Sequence, residues 1–228
     1  MSGFKNFLWL LVLAALWGPS FLFIKVAVED MPPVTLAAGR VGLAALTLVI
    51  VLRLQGRGLL PMGRIWKHFA VVGFFGNALP FVLFSWGEQH IDSALAAILN
   101  GATPLFTVVL AHIFTEDDHI TPAKLGGVLL GFGGLLVLIL PSLGDGFVAG
   151  TWGLIAVVIA TLSYGISIVY SSLHLRGLPK LVAPASQLTM AAVYLVPLAL
   201  VLEQPYRLPV PSLAAVSSVA ALALLGTA

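Results

Sequence analysis

The chain has 228 residues, of which 60% are hydrophobic and only 9% charged, with a mean hydropathy of +1.08 and a net charge of +2. A water-soluble domain of this length needs a charged surface that the composition does not supply, and the few basic residues form no nucleic-acid face. Cysteine is absent, which excludes disulfides, thiolate metal sites and cysteine nucleophiles.

Apolar stretches long enough to cross a bilayer, roughly 20 residues each, recur seven times, and an eighth breaks off at the C-terminus. Helix 1 is predicted over 7–28. The run from Phe7 to Val28 is too long for a signal-peptide core, and neither a small-residue cleavage site nor a polar mature domain follows it, so it reads as a retained span. Helix 2 follows over 33–52, helix 3 over 68–87, helix 4 over 93–114 and helix 5 over 123–141. Helix 6 covers 150–172, helix 7 covers 182–202, and helix 8 starts near 211. The fold class is therefore an all-α polytopic membrane protein. Short connections make neighbouring helices antiparallel, and the runs are too long and too evenly apolar for barrel strands.

Charge sorts the loops into two sides. Lys5, Arg53, Arg57, Arg64, Lys67, Lys124, Arg176 and Lys180 share the N-terminal side. Glu29, Asp30, Glu88, Asp92, Asp145 and Glu203 occupy the other, with Arg207 as its one loop cation. Positive charge marks the cytoplasmic face, so the N-terminus is expected in the cytoplasm. The acidic turn Glu116-Asp117-Asp118 falls on the same side, where acids count for little. The expected location is a bacterial inner (plasma) membrane.

An internal repeat runs at an offset of about 147 residues. Trp17-Gly18-Pro19-Ser20 falls on Tyr164-Gly165-Ile166-Ser167, Pro32 on Pro179, Gly39-Arg40 on Ser186-Gln187, and Ala44-Ala45 on Ala191-Ala192. With a small insertion, Gly76-Asn77-Ala78 meets Gly226-Thr227-Ala228. Residues 1–141 then form one five-helix unit, and residues 150–228 begin its copy. Five is odd, so the copy lies inverted in the membrane. The fold expected is two inverted five-helix repeats, a ten-helix bundle whose second repeat is truncated within helix 8. Roughly 60 residues would complete it.

Several motifs carry a family resemblance: Leu16-Trp-Gly-Pro-Ser-Phe21, the Pro33…Arg40 spacing, Ala78-Leu-Pro-Phe81, the stretch from Ser93 to Phe106, and Thr115 to Gly127 with its acidic turn and Gly-rich start. Through their order and spacing the chain resembles the EamA-type transporters of the drug/metabolite transporter superfamily. The resemblance implies a central cavity open to one side at a time, and export or exchange of small organic solutes. No solute is implied.

Prolines interrupt helices 1, 3 and 4 near mid-depth, at Pro19, Pro80 and Pro104. Each removes a hydrogen bond and frees the carbonyl four residues earlier, at Ala15, Gly76 and Asn100. Freed backbone in hydrocarbon is tolerated against protein or a wet cavity, so the breaks either mark a shared midplane site or are packing kinks. Arg40 lies about 10 Å inside helix 2. It either attracts an anionic part of a solute, or snorkels outward or pairs with Glu29 or Asp30. Lys25, one turn from the surface, reads as a snorkelling lysine.

Helix 6 groups Ser163, Tyr164, Ser167, Tyr170 and Ser171 on one face, and helix 7 adds Gln187 and Thr189. Such a face lines a cavity or packs against other helices. The candidate solute-binding set is Trp17, Ser20, Arg40, Asn77, Asn100, Thr103, Tyr164, Ser167 and Gln187. His112 shares a face with Glu116 and could relay a proton or simply sit at the interface. With no acid deep in a span, a proton carrier would otherwise be a mouth acid such as Glu88 or Asp92. The Gly-rich helix 5, with Gly127…Gly131, suits close packing against its repeat partner or a second copy in a homodimer.

The reading is a secondary transporter of amino-acid-like or amphipathic solutes that works by alternating access in a lipid bilayer. It needs no cofactor, metal or nucleic acid. The alternative is a non-transporting or degenerate truncated subunit. An intramembrane enzyme is disfavoured, since HExxH, GxSxG and paired intramembrane acids are all missing.

Overall fold

The computed structural model describes residues 2–115, 120–140 and 149–228, and among these every regular element is helical. Hydrocarbon offers no water to a backbone N–H or C=O, so a helix, which pairs its own backbone, is the natural spanning element. Six stretches are long and apolar enough to cross: Asn6–Ala27, Pro33–Leu54, Trp66–Gly87, Ser93–Phe114, Gly150–His174 and Val182–Leu202. Three of them are broken. The first comprises α1 (Ser2–Trp17) and α2 (Ser20–Ala27), and the second is the continuous α3 (Pro33–Leu54). The third runs through α4 (Trp66–Gly73), a π-helical turn at Phe74–Ala78 and α5 (Leu79–Gly87); the fourth is α6 (Ser93–Asn100) followed by α7 (Thr103–Phe114).

Helix 5 is α8 (Pro122–Ile139), with Thr121 accepting from the Lys124 N–H at its start, and helix 8 is α11 (Leu213–Leu225). Both are shorter than those six stretches among the described residues. Between them lie α9 (Ala149–His174) and α10 (Val182–Leu202). The turn at Glu116-Asp117-Asp118, together with Pro141 and Asp145, lies outside the described residues.

Packing joins the two halves of the sequence. α10 lies along α3, α5 and α7 pack on α9, and α11 packs on α2 and α3. The α3–α10 seam is built from small residues at helical spacing. Ala37, Val41, Ala44 and Leu48 share one buried cluster with Ala185, Leu188, Ala191 and Leu195. In lipid, oil gains nothing by meeting oil, so close backbone approach is what holds helices together. Glycine makes it closest. A Cβ on Gly73 would lie 2.5 Å from the Gln187 carbonyl oxygen, and one on Gly87 would lie 2.7 Å from a Val157 methyl. The outer surface remains apolar, with Leu22, Leu46, Leu129, Leu130 and Val201 all exposed. α1 stands largely clear of the bundle, exposed from Asn6 to Trp9 and from Leu11 to Trp17.

At the end of the bundle that carries the acidic turns, polar side chains clamp helix termini across the halves. Glu203, just past α10, accepts the Val34 N–H at 3.0 Å, the Thr35 N–H at 2.6 Å and the Thr35 hydroxyl at 2.7 Å. A carboxylate on the free N–H groups of the first turn of α3 satisfies them and complements the helix dipole. Asp30 does likewise for α11, accepting the Ser212 N–H at 3.1 Å. Its bonds to Ser212 hold the Asp30 carboxyl below the usual carboxylate range.

The glycine crossings are the sensitive points of this packing. Gly73→Val and Gly153→Val should each lower stability by about 1–3 kcal/mol through overpacking. Gly126→Ala, where a Cβ meets nothing within 4 Å, should change it by less than about 0.5 kcal/mol. Denaturant unfolding of the purified protein, followed by tryptophan fluorescence, measures all three.

Candidate functional site

The three proline breaks are closed in different ways. Before Pro104, the Thr103 hydroxyl donates to the Asn100 carbonyl at 2.8 Å, so the carbonyl freed there regains a donor from the adjacent turn. Before Pro80, the π turn moves the freed carbonyl by one residue. The Leu79 N–H donates to Phe74, five residues back, and the next donor in that register would be Pro80, which has none. The carbonyl left over is therefore Phe75, not Gly76, and the Ser163 hydroxyl of α9 donates to it at 2.7 Å. At the first break the helix is interrupted after Trp17, and the Gly18 N–H closes onto Ala14 at 2.8 Å.

Arg40 is buried and points inward. Its Nε donates to the Thr227 hydroxyl at 2.7 Å, its Nη2 lies 3.5 Å from the Gly226 carbonyl, and its guanidinium stacks 3.8 Å from the Phe81 ring centre. It neither snorkels nor pairs with Glu29 or Asp30. It faces α11, whose C-terminal carbonyls and partial negative charge suit a cation. Ser20 belongs to the same group, since a Cβ on Gly226 would lie 3.0 Å from its hydroxyl. Tyr164 stands behind Phe81 at 6.5 Å and Phe84 at 5.8 Å between ring centres, and Phe21 closes on Phe84 at 5.4 Å. Ser20, Arg40 and Tyr164 are thus gathered, with aromatic rings between them rather than open space.

A second group forms on the π turn. Asn77 is buried, and its Nδ2 has no acceptor. Its neighbour Gly76 lies against the Ser167 hydroxyl, which points toward the Val72 carbonyl at 3.5 Å. The other predicted residues lie apart. Asn100 and Thr103 are partners of each other, Gln187 is half-buried with its carbonyl under Gly73, and Trp17 is 56% exposed beside the first break. His112 is exposed and accepts the Ile120 N–H at 3.3 Å, while its expected partner Glu116 lies outside the described residues.

Two charged residues have roles the sequence reading did not give them. Lys25 does not snorkel: its Nζ donates to the carbonyls of Glu88 at 2.6 Å and Ile91 at 3.0 Å, capping the end of α5. Glu88 is not a solvated mouth residue but is completely buried. The signal was its spacing from Phe81 and Phe84, which sets all three on one face of α5.

A groove of about 530 Å³ between α3 and α10 is lined by apolar residues and Thr189, and a cleft of about 310 Å³ at the acidic end is lined by Glu29, Asp30, Gln89 and neighbouring residues. None of the predicted site residues lines either one.

The profile of the EamA-like transporter family matches residues 5–140. The chain is 25% identical over 199 residues to the uncharacterized transporter YoaV of Bacillus subtilis, covering 87% of this chain and 68% of that protein. It is 28% identical over 165 residues to an uncharacterized transporter of Archaeoglobus fulgidus, and 29% identical over 166 residues to the uncharacterized inner membrane transporter YedA of Escherichia coli K12. These matches cover 71% and 72% of this chain, but only 55% and 52% of those proteins, so the chain spans about half their length. A crystal structure at 20% identity has the same fold, with a TM-score of 0.63 over 94% of this chain and 75% of the other.

Pairing at the π turn has a measurable consequence. Ser163→Ala leaves the Phe75 carbonyl without its donor, and should lower stability by about 0.6–2 kcal/mol. Ser172→Ala, whose hydroxyl bonds the Val169 carbonyl of its own helix, should cost less. Denaturant titration of both variants checks the difference.

Proposed function

The chain belongs to the EamA-like transporter family, and from that premise we propose that it is a secondary transporter working by alternating access between two inverted units. The similar proteins carry transporter names and not enzyme names, in line with a non-enzyme. The observation that carries the proposal is a pair of exchanged contacts. Ser20 and Ser167 are equivalent in the sequence repeat, as are Gly76 and Gly226. Ser167 of the second unit meets Gly76 of the first, and Ser20 of the first meets Gly226 of the second. The same exchange relates larger elements: α5 packs on α9 as α11 packs on α2, while the equivalent α3 and α10 pack on each other. Two copies related by a pseudo-twofold axis in the membrane plane would make these contacts, and rocking one copy against the other is the usual route to alternating access.

In this reading the acidic end faces the outside of a bacterial inner membrane and is held shut by Glu203 on α3 and Asp30 on α11. The N-terminus lies in the cytoplasm. The positive loops at the opposite end support that orientation. The solutes are small organic molecules, amino-acid-like or amphipathic, moved by export or exchange. Arg40, Ser20, Tyr164, Asn77 and Ser167 form the inner lining once the units part; Trp17, Asn100, Thr103 and Gln187 are rim positions, and His112 lies at the cytoplasmic end. The open glycine face of α8, at Gly126, Gly127, Gly133 and Gly134, supports a homodimer contact there.

The test is uptake and efflux of a labelled amino-acid mixture and of labelled organic cations in proteoliposomes containing the purified protein. Arg40→Ala should reduce movement of zwitterionic and anionic solutes by about tenfold, the equivalent of 1.4 kcal/mol, while cations move at near the original rate. Arg40→Lys should restore part of the loss. Equal loss for both solute classes would make Arg40 a structural residue.

A further inference from the structure

Glu88 is buried, charged by type, and unused by the packing around it. It follows Gly87 at the end of α5, is 0% exposed, and neither carboxylate oxygen has a hydrogen-bond partner. Lys25 of α2 and Arg40 of α3 are the cations that act on it. Both are bonded elsewhere, Lys25 to the backbone carbonyls of Glu88 and Ile91, and Arg40 to Thr227. From α9 the nearest ionisable side chain along the helix is Tyr164, and α6 and α11 carry none. Of the other acids at this end, Glu29, Asp30 and Asp92 are exposed, and Glu203 is half-buried and bonded to Val34 and Thr35. His90 is held to its own helix through the Trp86 carbonyl at 2.9 Å.

An ionised carboxylate shut away without a donor is strongly unfavourable, and such a group binds a proton instead. Burial pushes the Glu88 carboxyl up to about 8, even though Lys25 and Arg40 act to hold it lower. A purely structural acid would bond to something. This one bonds to nothing.

A contact between the two units lies one residue from Glu88, at the crossing of α5 and α9. At Gly87, a Cβ would lie 2.7 Å from Val157 and 3.1 Å from the Gly153 carbonyl, and at Gly153 one would lie 3.0 Å from the Gly87 carbonyl. Two glycines face each other across the α5–α9 crossing, one residue from the acid. A motion that parts this crossing would loosen the packing one residue from the acid, and water reaching the carboxyl would lower its proton affinity.

We propose that Glu88 is a proton-binding site that couples solute movement to a proton gradient, holding a proton while α5 and α9 touch and releasing it to water when they part. The step is a simple exchange, carboxylic acid to carboxylate plus a proton taken up by water. It rests on the transporter reading.

Infrared difference spectroscopy of the purified protein in lipid nanodiscs tests proton binding without any solute. Wild type should show the carbonyl stretch of a protonated carboxylic acid, lost as pH rises through about 8. Glu88→Asp should retain a titrating band and Glu88→Gln should lack it. Absence of the band in wild type, or its persistence in Glu88→Gln, overturns the site. Coupling is then read in proteoliposomes with the labelled amino-acid mixture. Glu88→Gln should lose proton-gradient-driven accumulation by about tenfold or more, while exchange of labelled for unlabelled solute at equal concentration continues. Gradient-driven accumulation that survives in Glu88→Gln overturns the coupling. If no labelled solute moves in wild type, the transporter reading falls and the coupling with it. The infrared result still decides separately whether Glu88 binds a proton.

Discussion

A backbone carbonyl in hydrocarbon has no water to turn to, and the rest of this structure follows from how the chain meets that demand. Three of its spans are broken, at Pro19, Pro80 and Pro104, and each helix end adds further unpaired groups. Some are answered locally, as at Asn100 by Thr103. Others are answered from the far half of the sequence: Phe75 by Ser163, and the N–H groups of α3 by Glu203. Because lipid is as apolar as the helix interior, burial alone does not favour one helix neighbour over another. The polar repairs and the glycine crossings do, and this is why the contacts that specify the assembly sit at the breaks and the ends.

Much of the architecture was legible in the sequence because hydropathy reads length and a proline declares a break. The spans at 33–54, 66–87, 93–114 and 182–202 begin and end close to where the apolar runs do. The Gly and Ser pairs aligned in the sequence lie against each other in the structure, Ser167 on Gly76 and Ser20 on Gly226. What escaped was facing. Hydropathy averages a window and cannot tell which side of a helix a residue occupies, so Lys25 read as a snorkelling side chain although it turns inward to cap α5. Glu88 read as a mouth acid for the same reason. The π turn was invisible because no residue type codes for it, and it displaced the free carbonyl from Gly76 to Phe75.

The candidate site was only half legible. Residue type and depth select polar side chains, but depth alone does not bring them together. Ser20, Arg40 and Tyr164 converge because α11 ends beside α3 and because Phe81 and Phe84 project from α5 between them. Trp17 and His112 have the chemistry without the placement: one stands exposed at a helix break and the other at a helix end.

The buried charges also constrain how a proton and a solute would interact. Lys25 and Arg40 are held by their bonds to helix ends, whereas the Glu88 carboxylate oxygens have no partner. Protonation of Glu88 makes the region one unit more positive, and ionisation makes it one unit less so. A unit change at about 10 Å in a medium of effective dielectric about 20 is worth about 1.7 kcal/mol, more than tenfold in affinity. A solute presenting a carboxylate to Arg40 would then bind better with the proton bound, and a cationic solute better once it had left. Proton and anion would then move together, and proton and cation in opposite directions. On this electrostatic ground, the charge of the solute would set the direction in which a proton gradient drove it.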